Sequence, residues 1–187
     1  MSKAFDTVFA AIDSGDVDLI DILLEQWACM TEDEKRLVKV LRAGTSDEQS
    51  GMVDLQFDST TNDLADIPGL TANVAAGRSY HFEASIFTNT DAIGGQKFAI
   101  GGTATATDII YQAVLHDTNE AGIVSSSRGL IMGAIVGGAA GASGYFVTIE
   151  GAITVATSGT LTVQFAQVNA NGTSNILPHS HFIVSPM

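Results

Sequence analysis

The chain has 187 residues, and its 21 Asp and Glu against eight Lys and Arg give a formal net charge of −13. After residue 44 the cations are Arg78, Lys97 and Arg128, which are too dispersed to neutralise a phosphate backbone or to draw the chain to an anionic membrane. We therefore predict no nucleic-acid partner and no membrane partner. The single cysteine, Cys29, excludes an intrachain disulfide and is typical of folding in a reducing cytoplasm.

Residues 1–44 are predicted to form a helical anchor of about three short helices, because apolar residues recur there every three or four positions. Thr31 and Glu34 have the spacing of a capping box at the start of the third helix. Met1 is followed by this amphipathic pattern, and not by the basic run and apolar core of an export signal. The apolar residues that we take as interface candidates are Phe5, Phe9, Leu23, Trp27, Leu37 and Leu41.

Three short helices do not hide these apolar faces among themselves. The faces must pack on the rest of the chain, on copies of themselves or on another protein. Two interpretations stay open at this point, a self-contained helical lid and a docking anchor for a larger assembly.

The stretch that follows, 45–51, is polar and flanked by glycine, so we interpret it as a linker. Beyond it the apolar period changes to two, as in Tyr80, Phe82 and Ala84, which is typical of half-buried strands. The predicted strands are 52–57, 70–74, 79–86, 96–101, 107–115, 129–136, 145–155, 161–165 and 176–184. The predicted fold class is therefore mainly β, an antiparallel jelly-roll β-sandwich over 52–187 preceded by the small α-helical region.

Charged residues make up only 16% of the chain, against about a quarter in typical soluble domains. A monomer in isolation needs a more charged surface to stay dispersed. We therefore expect neighbouring subunits to cover part of the outer faces of the sandwich.

Two stretches of the β region carry a family likeness. Residues 64–88 combine an apolar strand, a VAAG turn and a YHFEA strand, and residues 142–184 end in SHFIV. Together they resemble the jelly-roll domains of tailed-bacteriophage virion proteins, which occur in head decorations, fibres and tail-associated knobs and share the architecture of the trimeric tumour-necrosis-factor-like jelly rolls. The resemblance covers 52–187 and departs from the family pattern where His179 and His181 flank a serine.

The resemblance implies a structural protein of the virion that forms a homotrimer after folding in the host cytoplasm. A tail fibre needs a long repetitive shaft, and this sequence has neither a repeat nor heptads. A compact knob with a helical attachment element favours a capsid decoration or cement protein, with the major capsid protein and other virion proteins as its partners. The alternative is a receptor-binding knob associated with the tail or a fibre.

The sequence contains no G-x-S-x-G, G-x-x-x-x-G-K-[ST] or H-E-x-x-H motif. We therefore predict that the chain is not an enzyme, with no catalytic residue and no cofactor, and keep a polysaccharide-processing sandwich as a third hypothesis. Cys29 beside Trp27 is interpreted as a small buried hydrophobe. The acid pairs Asp63/Asp66 and Asp54/Asp58 are interpreted as solvated turn acids.

The glycine-rich run 129–144 (GLIMGAIVGGAAGASG) lacks the G-x-G-x-x-G spacing of a dinucleotide site. It is also shorter than the roughly 20 residues of a membrane span. We interpret it as a strand, a loop and the start of the next strand. Its small residues would let subunits approach closely, so Gly137 and Gly141 are further interface candidates, at which a bulky residue is expected to weaken assembly.

His179 and His181 are two residues apart, so on a strand both imidazoles would project from one face. Near a threefold axis, three such pairs would place six nitrogens around one transition metal. The simpler interpretation is two surface or interface histidines in the closing strand. We assign no metal site and keep the metal hypothesis open beside it.

Overall fold

The computed structural model describes Thr31 and residues 48–90, 94–117, 122–139 and 144–187. The predicted anchor, 1–44, lies outside the described residues except for Thr31, as do Cys29 and Gly141. The same holds for the anchor's interface candidates, which are Phe5, Phe9, Leu23, Trp27, Leu37 and Leu41. In the ranges that are described, no helix is long and apolar enough to cross a lipid bilayer.

The described residues form twelve β-strands, all in antiparallel pairs. The strands are β1 (Gln49–Met52), β2 (Phe57–Ser59), β3 (Ala65–Val74), β4 (Ser79–Thr90), β5 (Gln96–Gly101), β6 (Thr105–Asp117), β7 (Ile123–Gly129), β8 (Val136–Ala139), β9 (Gly144–Thr157), β10 (Gly159–Ala166), β11 (Ser174–Ile176) and β12 (His181–Pro186). The prediction of a mainly β, antiparallel fold is therefore confirmed.

The strands divide between two sheets. The larger sheet has eight strands in the order β1-β12-β4-β9-β6-β7, with β11 also pairing to β4 and β2 pairing to β11. The smaller sheet has four strands in the order β3-β10-β5-β8. Residues from both sheets form one buried apolar cluster, which is the arrangement expected of a sandwich.

The core is formed by apolar side chains at every second position along the strands. Phe82, on β4, packs against Tyr111 of β6 and Phe182 of β12, with ring centroids 6.3 and 6.2 Å apart. In the smaller sheet Phe98 packs against Phe165 with centroids 5.3 Å apart. All five side chains are almost fully buried, so the period of two that predicted these strands also identified their core faces.

Three of the predicted strands are wrong in detail. The predicted strand 52–57 is replaced by β1 and β2, which flank it, and the predicted strand 176–184 is interrupted by a turn between β11 and β12. The largest error is 129–136, most of which is a connection between β7 and β8. The strand β7 was not predicted because its SSSR core, 125–128, has no apolar alternation.

Candidate functional site: the apolar margin of the sandwich

The two sheets end together on both sides of the sandwich, and the two sides differ in chemistry. On one side β1 lies against β3, and on the other β7 lies against β8. We call residues 123–139, which comprise β7, β8 and their connection, the apolar margin. We call the side formed by β1 and β3 the sealed margin.

The apolar margin exposes a concentration of large apolar side chains. Leu130 and Ile131 are 62% and 68% exposed, in the connection between β7 and β8. Exposed apolar side chains at the edge of a sheet can mark an interaction site or an aggregation hazard. The exposed apolar residues of the margin are Ile123, Val124, Leu130, Ile131 and Ile135.

Hydrogen bonds to the core hold this connection in place. The buried Tyr111 hydroxyl donates to the Ala134 carbonyl oxygen over 2.6 Å and accepts from the Ile100 N–H over 3.4 Å. The Gly133 N–H donates to the Ile100 carbonyl oxygen over 2.8 Å. Burial raises the pKa of Tyr111, so its hydroxyl keeps the proton that it donates. The exposed side chains of the connection therefore sit on an ordered frame, which lowers the entropy lost on binding.

Glycine at 129 makes room for that tyrosine. A Cβ at Gly129 would overlap the Tyr111 ring, so a larger residue would displace the ring from beneath the connection. At the other end of the margin the Gly137 N–H donates to Ser127 Oγ over 2.7 Å and ties β8 to β7.

Beside the connection lies a groove of about 460 Å³. Leu130 and Ile131 form one wall, and the connection between β5 and β6 together with the start of β6 forms the other. The groove extends the apolar margin around the end of the sandwich.

The apolar margin carries one charged residue, Arg128, on an otherwise neutral stretch. Its side chain is exposed, and in the part of the chain that the structure describes it has neither an ion pair nor a hydrogen bond. In register it lies opposite Gln112 of β6, which in turn lies opposite Glu150 of β9. Arg128 thus lies on the outer face of the larger sheet, where it lines a shallow depression together with Gln112 and Glu150.

The opposite side of the sandwich is closed by its own hydrogen bonds. Gln49 Nε2 donates to the Asn73 carbonyl oxygen over 2.7 Å, and the Asn73 N–H donates to Gln49 Oε1 over 2.6 Å. One glutamine side chain on β1 therefore satisfies both backbone groups of a β3 residue. Backbone groups that are paired in this way do not recruit another strand.

The outer face of the larger sheet is mostly polar, with two local features. Glu83 and Glu150 are direct cross-strand neighbours, and His81 Nε2 lies 3.3 Å from Glu150 Oε1. Farther along the same face Phe87 and Phe146 pack with ring centroids 5.2 Å apart, and Phe87 remains partly exposed. A shallow depression of about 370 Å³ lies between β6, β7 and β9.

One acid of each pair that was considered on sequence spacing, Asp58 and Asp66, is held by amide side chains. Asp58 Oδ1 accepts from Gln56 Nε2 and from Asn175 Nδ2, each over 2.7 Å, and these bonds hold the pKa of Asp58 below its usual value. Asp66 Oδ1 accepts from Gln164 Nε2 over 2.8 Å. These contacts keep both acids in the role of hydrogen-bond acceptors.

Gly137 lies in the apolar margin but faces the core. A Cβ there would lie 2.8 Å from Leu115 Cδ1 and 3.3 Å from the nearest side-chain atoms of Ala113 and Phe98, and its φ is +64°. A bulky residue would therefore strain the subunit itself, so the predicted effect on assembly needs a stability control. The interface role of Gly137 and Gly141 stays a prediction.

The prediction that the two closing histidines share one strand is wrong. His179 is exposed in the turn before β12, with a φ of +69°, whereas His181 begins β12 and is half-buried. Within the described residues, no group of three or more His, Cys, Asp or Glu side chains is arranged to hold a metal ion. The extended geometry that motivated the metal hypothesis is therefore missing at His179.

The exposed residues of the apolar margin were not predicted as a site. Because the sequence predicts a strand over 129–136, Leu130, Ile131 and Ile135 are expected to be ordinary strand residues. Two signals were available in the sequence, since LIMGAIV lacks the alternation of a half-buried strand and the stretch 122–139 has one charge.

No protein-family model matches the chain, and no curated protein is similar to it. Among solved structures, it is similar to the infectious bursal disease virus VP2 subviral particle, with 12% identity, 74% of this chain and 40% of that chain covered, and a TM-score of 0.20. The T13 viral particle of the same virus gives 12% identity, 75% and 39% coverage and a TM-score of 0.22. The chain thus spans about two-fifths of the length of those proteins, and a similarity this low carries no argument about its fold or function.

Proposed function

We propose that this chain is a non-enzymatic structural component of a virion, specifically a capsid decoration or cement protein. The observation that carries the proposal is the apolar margin, an exposed and ordered hydrophobic surface on a sandwich whose opposite side is sealed. Burial of such a surface against a neighbour contributes free energy in proportion to the area removed from water. A subunit of this kind acts mechanically, by joining and covering its neighbours.

We further propose that the sandwich is a jelly roll. In that fold, eight strands form two sheets with the orders 1-8-3-6 and 2-7-4-5, through two Greek keys. The order β1-β12-β4-β9 in one sheet and β3-β10-β5-β8 in the other supports this assignment when these eight strands are numbered along the chain. The hairpin β6–β7 is then an insertion between the fourth and fifth strands, and together with the connection that follows it supplies most of the apolar margin.

The surroundings of Asp58, one of the acids considered on sequence spacing, are consistent with a non-enzymatic role. A general acid needs a carboxyl whose pKa is raised towards neutrality, usually by burial. Asp58 is exposed and its pKa is lowered by the amides of Gln56 and Asn175. Such acids are suited to fixing loops through hydrogen bonds.

The virion location and the remaining partners come from the resemblance of 64–88 and 142–184 to phage jelly rolls. In this proposal residues 1–44 attach the subunit to the major capsid protein, and the sandwiches associate as a homotrimer. Folding takes place in the host cytoplasm before assembly.

The proposal is tested on particles. Particles released from cells that carry the gene are banded on a density gradient, and the chain is quantified in the band and located with gold-labelled antibodies. We expect many copies per particle and label over the head. Recovery of the chain only in the soluble fraction would refute the virion role, and label confined to the tail would refute the decoration role.

One observation favours the alternative of a receptor-binding knob on the tail or a fibre. Phe87 and Phe146 form an aromatic pair on the outer face of the larger sheet, and aromatic side chains at the surface often serve as binding anchors. Label at the tail tip, together with loss of adsorption to host cells after Phe87→Ser, would support that function over the first.

A further inference from the structure

We infer that a second copy of this chain docks beside the first, with the apolar margin of one copy against the exposed segment 52–55 of the next. Arg128 of the apolar margin then faces Asp54 across the contact. The inference rests on the proposed role as an assembly subunit, and it names the partner and the residues in contact.

The segment that follows β1 offers a matching apolar surface. Leu55 is 83% exposed and Met52 is 50% exposed, while Val53 between them is buried and fixes the segment to the core. Val53 is held further by backbone bonds, since its N–H donates to Ser180 O over 2.8 Å and its carbonyl accepts from the His179 N–H over 3.0 Å. Met52 and Leu55 therefore project from an ordered backbone, as Leu130 and Ile131 do on the apolar margin.

The two surfaces are complementary in charge. Residues 122–139 carry Arg128 and no acid, whereas residues 48–58 carry Glu48, Asp54 and Asp58 and no base. The Glu48 carboxylate accepts a hydrogen bond from the Ser185 hydroxyl, and Asp58 accepts hydrogen bonds from two side-chain amides. Asp54, in contrast, has no hydrogen bond or ion pair within the described ranges. An exposed cation and an exposed carboxylate that both lack a partner in the described part of one copy can pair between two copies.

The sheet order places these surfaces on opposite sides of the subunit. β1 and β7 are the first and last strands on the path of the larger sheet, so the two surfaces face away from each other. Contact between unlike surfaces is heterologous, and it closes into a ring or extends into a row. The sealed margin directs this contact to side chains, because Gln49 already occupies the backbone groups of Asn73.

An isologous contact, with the apolar margin of one copy against that of another, is less favourable. It would bring two Arg128 guanidinium groups towards one interface, and residues 122–139 supply no acid to pair with them. Burial of like charges without partners is costly. The heterologous arrangement removes that cost by pairing Arg128 with Asp54.

A charge-reversal cycle on the full chain tests the contact. The variants are Arg128→Glu, Asp54→Lys and the double variant, and the readout is native mass over a concentration series. Each single reversal is expected to raise the apparent dissociation constant by about tenfold or more, and the double variant to restore it. Lys97→Glu and Asp63→Lys are the matched controls, since they make the same charge changes elsewhere on the described surface and should leave the mass unchanged.

The other possible outcomes refute either the contact between copies or the proposed function. A monomeric wild-type chain overturns the inference, and so does an Arg128→Glu effect that Asp54→Lys does not reproduce or a double variant that stays dissociated. The unfolding midpoint of each variant is measured alongside, because Arg128, Asp54 and Asp63 are exposed but Lys97 is half-buried, and a change in native mass counts only where the stability is retained. A wild-type monomer found in virions would refute this contact alone, whereas an assembling chain absent from virions would refute the proposed function alone.

Discussion

Gly51 of β1 and Gly69 of β3 bring the two sheets into backbone contact at the sealed margin. A Cβ on Gly51 would overlap the Gly69 carbonyl oxygen, and a Cβ on Gly69 would overlap the Met52 carbonyl oxygen. Gly69 also has a φ of +88°, a conformation that favours glycine. Each glycine is thus required by the backbone of the opposite sheet.

The first prediction concerns this contact. Gly51→Ala should lower the free energy of unfolding by about 3 kcal/mol, at the upper end of the range for overpacking, because the clash is with backbone that cannot rotate away. Chemical denaturation gives the value. Gly138→Ala is the control, since a Cβ at that position meets open space, and it should change stability little. Equal stability of the two variants would contradict the close approach of β1 and β3.

The second prediction concerns the glutamine that seals this margin. Gln49→Ala removes two hydrogen bonds to Asn73 and should cost about 1–3 kcal/mol, because each net bond contributes roughly 0.5–1.5 kcal/mol. It also uncovers the edge of β3, so aggregation at high concentration should increase. Gln56→Ala, which loses one exposed side-chain bond to Asp58, is the comparison and should have a smaller effect on both measurements.

The third prediction tests the ordered frame of the apolar margin. Tyr111→Phe leaves the Ala134 carbonyl without its 2.6 Å donor and should cost about 1–3 kcal/mol. Hydrogen exchange of the Gly133 amide should accelerate, because the connection loses one of its anchors. Tyr145→Phe serves as the control, since no hydrogen bond of that hydroxyl to the described residues is present. Unchanged exchange in Tyr111→Phe would show that the connection is held by other contacts.

The fourth prediction concerns alkaline pH. Burial raises the pKa of Tyr111 above its ordinary value of 10.0 in the folded chain. The unfolded chain therefore releases this proton first as the pH rises, so the stability contribution is complete below pH 10 and is lost as the pH approaches the folded pKa. Unfolding followed from pH 8 to 11 should show a steeper alkaline decline in the wild-type chain than in Tyr111→Phe. Parallel declines would contradict the shift.

The fifth prediction addresses the apolar part of the proposed contact between copies. Ile131→Ser and Leu55→Ser should each weaken self-association, because both side chains are more than half exposed in one subunit and buried in the contact. Their unfolding midpoints should remain close to that of the wild-type chain. Val168→Ser alters an exposed apolar residue outside both surfaces and should leave native mass unchanged. If Val168→Ser lowered the native mass as much as Ile131→Ser and Leu55→Ser do, the association between copies would be nonspecific.

Local pattern was sufficient for most of the long strands of both sheets. The predicted 96–101 coincides with β5, and the predicted 70–74, 79–86, 107–115, 145–155 and 161–165 all lie within described strands. Alternation identified Phe82 and Phe165 as core residues because side chains in a strand point to opposite faces in turn. The low proportion of charged residues also predicts, from composition alone, that neighbouring subunits cover part of the surface.

The position of the apolar margin depends on tertiary contacts. The strand β7 is polar along most of its length and is specified by pairing with β6, which is a long-range contact that no local period reveals. The connection that carries Leu130, Ile131 and Ile135 is tied to the core by the Tyr111 hydroxyl, 23 residues from its acceptor at Ala134. The sequence determined which of the long strands form and which faces they bury. Only the folded chain showed that Gln49 closes one side of the sandwich with hydrogen bonds and that apolar side chains are exposed on the other, because both features depend on contacts between residues far apart in the sequence.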